Sequence, residues 1–285
     1  MYKIDKLDSF RLKDIFECGQ CFRWEKEIDN SYTGVVYDRV INVKIENEVV
    51  IFTSSNDDNL KPIVRSYFDL DRNYSEIKDS LSKIDKYMKT SIEFGKGIRI
   101  LNQDLWECII SFIISANNNI PRIKKIIEKL SKEYGKEIEF NGKKYYTFPT
   151  PKELGKASVQ DLRNLGLGFR DKRVYETTRK VNTNEVDLDE IKKLNNSNKI
   201  REELLKLDGV GNKVADCIML FSLQRFDVFP IDVWVRRVMH DLYIHNENEE
   251  NVSKTELGKI AEEKFGKIAG LAQQYLFYWR RENDI

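Results

Sequence analysis

The chain has 285 residues, 41% apolar and 33% charged, a balance that excludes a disordered segment and suits a folded protein with a sizeable core. A formal charge of +1 excludes a globally basic surface, so any hold on nucleic acid must come from local basic patches and oriented amides. The longest apolar run, near 108–116, falls far short of the roughly 20 residues that span a bilayer, and MYKIDKLDSFRLKD lacks an apolar signal core. A cytoplasmic protein is expected.

Residues 20–55 alternate in the strand period through CFRWEKE, SYTGVVYDRVINVKIE and EVVIFTSS, with polar breaks at Asp29-Asn30 and Glu46-Asn47-Glu48. That pattern predicts an antiparallel sheet. Helices are predicted over 59–70 and 75–93. After Gly95-Lys96-Gly97 the repeated helical patterns begin, which divides the chain into a sheet domain, 1–97, and a helical domain, 98–285. LWECIISFIISA predicts an apolar helix that stops at Asn117-Asn118-Asn119, and PRIKKIIEKLSKEYG an amphipathic one with Pro121 in its first turn. Asn141-Gly142 predicts a tight hairpin. The stretches 158–181, 200–223 and 256–281 all read as helix, the first two split by glycine-rich turns.

Cys18, Cys21, Cys108 and Cys217 read as free thiols, and Cys18-Gly19-Gln20-Cys21 has no second thiol pair near it in sequence. His240 and His245 lack carboxylate or thiol company. No metal or organic cofactor is expected.

The chemistry concentrates in Leu207-Asp208-Gly209-Val210-Gly211-Asn212-Lys213. Glycines at Gly209 and Gly211 permit a tight turn and close backbone approach, and the amides opening the next helix form a seat for a phosphate. Such a turn grips the DNA backbone without reading sequence, although it also suits an ordinary helix connection. Lys213 falls in that helix's first turn, where the dipole is expected to lower its pKa and free an amine for nucleophilic attack. The plainer alternative is a solvated phosphate contact. Further on, Phe229-Pro230-Ile231-Asp232-Val233 predicts a helix start with Asp232 as N-cap, and capping alone is the commoner job of such an aspartate.

Taken together, the glycine hairpin, Lys213 and Pro-x-Asp232 resemble the helix-hairpin-helix DNA glycosylase superfamily. SFIISANNNIPRI, LGLGFR, FECGQCFRW and GLAQQYLF further resemble segments of its eukaryotic-type 8-oxoguanine DNA glycosylases, and the similarity runs from about residue 10 onward. The resemblance implies an α+β fold, an N-terminal antiparallel sheet packed on an α-helical glycosylase domain. It implies an enzyme acting as a monomer on duplex DNA, associated with a bacterial nucleoid, with Lys213 as nucleophile and Asp232 as its partner carboxylate. A carbonyl at Gly19 would touch the damaged base, Cys217 and Phe277 would sandwich it, and Gln273 would bond its pairing edge. Asn117 would fill the gap in the duplex, Arg122 and Arg170 would bond the estranged cytosine, Phe169 would wedge beside it, and Gly209 and Gly211 would hold phosphate. A ring-opened purine as substrate, and a DNA-binding module without catalysis, remain alternatives. Asp208, where the family has proline, and Trp234, where it has histidine, depart from the pattern.

Overall fold

The computed structural model describes residues 1–244 and 252–283, so His245 lies outside the described residues. The N-terminal part is an antiparallel sheet built from β1 (Tyr2–Asp5), β2 (Trp24–Lys26), β3 (Tyr32–Val36), β4 (Arg39–Glu46) and β5 (Val49–Ser54), in the order β1-β5-β4-β3-β2. Asn30 and Asn47 take positive φ at the two turns where polar breaks were expected. Sequence reading missed β1, which is too short and half-exposed to carry a clear period. Residues 20–22 are not strand. Between β1 and β2 runs the short helix α1 (Leu12–Phe16), whose Phe16 stacks on Trp24 at 4.2 Å. The sheet's inner face, Trp24, Tyr32, Val43 and Phe52, packs on α2 (Leu60–Tyr67), and Trp24 donates from Nε1 to the Tyr67 hydroxyl at 3.0 Å.

The helix predicted over 75–93 is two, α3 (Tyr74–Ser82) and α4 (Lys86–Phe94). Asp85 breaks it by accepting from the Met88 amide, a cap that outcompetes helix continuation. Both helices bury Tyr74, Leu81, Met88 and Ile92 in the helical core, not against the sheet.

That core surrounds α5 (Leu105–Ser115), followed by α6 (Ile120–Tyr134), the hairpin β6 (Glu137–Phe140) and β7 (Lys143–Tyr146), and α7 (Pro151–Leu154), α8 (Val159–Asn164) and α9 (Asp171–Asn182). Then come α10 (Leu188–Lys193), α11 (Ser197–Leu204), α12 (Asn212–Ser222), α13 (Val233–Met239), α14 (Lys254–Phe265) and α15 (Ala269–Asn283). The stretch 256–281 was expected as one helix. Gly266 divides it, because its φ of +55° ends the right-handed turn after Phe265. Among the described residues no helix is long and apolar enough to cross a membrane.

One buried side chain joins sheet and helices. Gln20 donates from Nε2 to the carbonyls of Ile15 and Arg99, both at 2.8 Å, and its Oε1 accepts from the Leu101 amide. Its own carbonyl accepts from Gln103 Nε2. A buried amide with every polar atom paired fixes the segment beside it, and that segment is Cys18-Gly19.

Candidate active site

Three of the features singled out in the sequence converge where α11 turns into α12. Gly211 is the N-cap of α12 and supplies no capping side chain, so the first amides of the helix are left for an external anion. The turn is braced from α9: Thr177 Oγ1 donates to the Asp208 carbonyl at 2.9 Å, and Lys180 Nζ lies 2.7 Å from Asp208 Oδ2. Asp208 therefore has a structural partner on α9 in place of a proline ring. Arg201 binds Asp216 Oδ1 from Nε and Nη2, at 3.0 and 2.8 Å, and so locks α11 to α12.

Lys213 is half-buried one turn from the buried Cys217, with its Nζ 5.8 Å from the centre of the Phe112 ring. Phe112 is in turn wedged between Phe22 and Phe221. Asp232 caps α13 by accepting from the Val235 amide at 2.8 Å, and its charge also reaches Lys213. Capping and electrostatic contact coexist in one carboxylate.

The expected lowering of the Lys213 pKa is overturned. Cys217 holds the ammonium above the usual lysine value, burial works against it, and Asp232 adds to the rise. Attraction to Cys217 and Asp232 thus outweighs the cost of burial. Cys217 itself is pushed up to about 11 by burial, so near neutral pH the free protein carries an ammonium beside a thiol.

A second group forms around α15. Gln274 donates from Nε2 to the Cys18 carbonyl at 2.7 Å, and Arg281 Nη2 donates to the Glu17 carbonyl. Gly19 sits between them at φ +88°, a conformation that disfavours any residue with a side chain. A Cβ there would also stand 3.1 Å from Arg281 Nη1 and 3.3 Å from Phe277 Cε1. Gly19 and Phe277 are thus brought together, and Gln273 is buried one turn before Phe277 with Oε1 unpaired among the described residues.

A third group gathers at the α5–α6 junction. Asn118 donates to the Ile114 carbonyl and Asn119 accepts from the Arg122 amide, so two of the three asparagines close one helix and open the next. Asn117, between α5 and that cap, is exposed at φ +51°. Phe169 is also exposed, flanked by the guanidinium groups of Arg170 and Arg173 at 4.2 and 5.3 Å. Arg122 is exposed and donates to the Gly166 carbonyl at 3.3 Å. Arg170 departs from the expected pair of free donors. It is 2% exposed and spends its guanidinium on the carbonyls of Ala116 and Asn117, at 2.6 to 2.9 Å. Burial lowers its pKa, with Arg122 and Arg173 contributing. Gly209 packs toward Ile113 and Arg173, which ties this group to the hairpin. Trp234 is exposed, with Arg237 5.8 Å from its ring.

Sequence reading missed Phe112, Gln274, Arg173 and Arg281. Only Arg281 had a legible signal: it continues the four-residue ladder of Gln273 and Phe277 on α15. The cysteines are free and buried, and among the described residues no three of His, Cys, Asp and Glu cluster as a metal site.

Residues 2–109 match the family described as 8-oxoguanine DNA glycosylase, N-terminal domain. Residues 110–263 match HhH-GPD superfamily base excision DNA repair protein. The chain is 31% identical to the N-glycosylase/DNA lyase of Saccharomyces cerevisiae, over 97% of its own length and 86% of that protein's. It is 33% identical to a probable N-glycosylase/DNA lyase of Methanothermobacter thermautotrophicus, over 70% of the chain and 69% of the relative. Clostridium acetobutylicum 8-oxoguanine glycosylase/lyase, solved with double-stranded DNA containing cytosine opposite 8-oxoG, superposes with a TM-score of 0.92 at 46% identity. That likeness covers 98% of this chain and 94% of the other.

Proposed function

We propose, for a chain that belongs to the HhH-GPD superfamily of base excision DNA repair proteins and to its 8-oxoguanine DNA glycosylase branch, a bifunctional glycosylase and lyase that excises 8-oxoguanine from duplex DNA. The observation that carries this reading is Lys213, set in the first turn of α12 behind the uncapped Gly211, with Asp232 acting on it from the start of α13. The hairpin amides seat a phosphate beside the lesion, and the nucleotide turns out of the helix toward Lys213.

Lys213 Nζ bonds to the anomeric carbon as the bond from that carbon to the base breaks. The base departs with the electron pair and takes up a proton. That need is complementary to the state of Lys213, which enters as an ammonium and must shed a proton to attack. Asp232 stabilises the positive charge that develops on the sugar. Opening of the sugar ring gives an imine on Lys213, and loss of a 2′ proton then expels the 3′ phosphate and nicks the strand. Gly19 accepts from the proton that 8-oxoguanine, unlike guanine, bears on its imidazole-ring nitrogen. Cys217 and Phe277 enclose the base and Gln273 pairs with its edge. Borohydride trapping on a duplex carrying 8-oxoguanine opposite cytosine tests the whole. A covalent complex is expected, and base release without one would leave a glycosylase lacking the imine step. Neither release nor trapping would leave a DNA-binding module.

Asn117 enters the gap with its backbone already held by Arg170, and Phe169 wedges beside the estranged base. Because Arg170 is committed to those carbonyls, we assign the contact with that base to the exposed Arg122. Cytosine offers it two acceptors, whereas adenine presents an amino group and leaves donors unpaired at about 1–3 kcal/mol each. Excision opposite cytosine is therefore expected to exceed that opposite adenine by about tenfold or more. Arg122→Ala should narrow the ratio in single-turnover assays by slowing the cytosine reaction. A variant slowed equally on both pairs would mean that Arg122 binds only phosphate.

A further inference from the structure

Arg281 lies outside every role assigned so far, yet its guanidinium fills a distinctive position. It is on α15, one turn beyond Phe277, and its carbon lies 5.4 Å from the Phe277 ring centre and 5.6 Å from that of Tyr278. Nη2 donates to the Glu17 carbonyl, while Nε and Nη2 also reach Glu282 Oε1 at 3.1 and 2.8 Å. These partners hold the fork from one side and turn Nη1 the other way. Nη1 is buried without a hydrogen-bond partner among the described residues, and it is the atom nearest to where a Gly19 side chain would begin.

A buried N–H of a guanidinium left unpaired is costly, and a site that places one beside Gly19 and Phe277 is waiting for an acceptor. The acceptor has a defined place. On 8-oxoguanine the N–H that Gly19 accepts is bonded directly to the carbon carrying the extra oxygen. A donor held beside Gly19 has that oxygen, which guanine lacks, as its nearest candidate acceptor on a base read by Gly19. We propose that Arg281 is a specificity-determining residue, donating from Nη1 to the C8 carbonyl of the lesion while Nη2 keeps the Glu17–Gly19 segment in register. The inference rests on the assignment of Gly19 to the lesion. Gly19 and Arg281 then form an acceptor–donor pair that matches the N–H and C=O of the damaged edge, and guanine opposes the first and leaves the second unpaired. Two contacts multiply a discrimination that either alone would leave modest.

The test compares wild type, Arg281→Met and Arg281→Lys on duplexes bearing 8-oxoguanine or a preformed abasic site, both opposite cytosine. Methionine keeps the apolar stem against Phe277 and removes every donor, whereas lysine keeps one. The ratio of base excision to abasic-site nicking should fall at least tenfold in Arg281→Met, and Arg281→Lys should recover part of it. An equal fall in both reactions would overturn the proposal, because it would make Arg281 a general support of the fold. Unchanged or faster excision in Arg281→Met would also overturn it, since the guanidinium would then only occupy the place of the base. A wild type that nicks abasic DNA yet releases no 8-oxoguanine would instead remove the lesion assignment on which the proposal rests.

Discussion

Lys213→Gln is expected to abolish both strand nicking and borohydride trapping, while binding of a lesion duplex stays within a few-fold of wild type. Glutamine nearly matches lysine in reach but has no amine to form an imine, and the hairpin amides proposed to seat the phosphate belong to the backbone, which the substitution leaves in place. A variant that still traps would name another amine as the nucleophile. The raised pKa of Lys213 adds a second observable. The neutral amine is scarce at pH 7 and grows as pH rises toward a value above that of an ordinary lysine. If attack draws on that neutral fraction, single-turnover nicking of abasic DNA should climb from pH 6 to pH 9. If the departing base removes the proton during excision, release of 8-oxoguanine should vary less over the same range. Parallel profiles would contradict the base as proton acceptor.

Asp232→Asn should separate two roles that one carboxylate plays. Asparagine is as good an N-cap as aspartate, so the bond to the Val235 amide survives and the melting temperature should hardly move. The negative charge is lost, and with it the stabilisation that we propose for the positive sugar. Removing a preorganised electrostatic contact costs about 10²–10³ in rate, so excision should slow by at least that hundredfold. DNA affinity should be kept, as measured by anisotropy with a noncleavable duplex. Normal excision by this variant would mean that capping is the whole function of Asp232.

How much of this was legible in the sequence depends on whether a feature is local. Period-two alternation found β3, β4 and β5, and glycines at 209 and 211 found the hairpin, because strand period and turn chemistry are properties of neighbours. Asp85 and Gly266 each cut a predicted helix in two, although a capping aspartate and a glycine were both visible there. Apolar periodicity continued across each break and masked it. The Lys213 pKa was misjudged because the dipole is read from position in a helix, whereas Cys217, one turn on, and Asp232, from another element, both raise it. Arg170 shares that lesson. Its place in LGLGFR suggested a base contact, and only the folded chain brings Ala116 and Asn117 close enough to occupy it. The Gln20 network is of the same kind, an unremarked polar residue until Arg99, Leu101 and Gln103 surround it.

The bond from Gln274 to the Cys18 carbonyl joins residues 256 positions apart, and Arg281 grips Glu17 across 264. The wall that we assign to the lesion pocket therefore closes only once α15 has been made and has reached back to Glu17 and Cys18. At synthesis rates of roughly 5–20 residues per second, the early segment waits many seconds for its partners on α15. Until then a nascent chain can display the sheet and even the glycine hairpin, both local structures, yet lacks the surface that we propose judges a base. If that wall reads the lesion, a chain cut before α15 should hold DNA without telling damaged from sound.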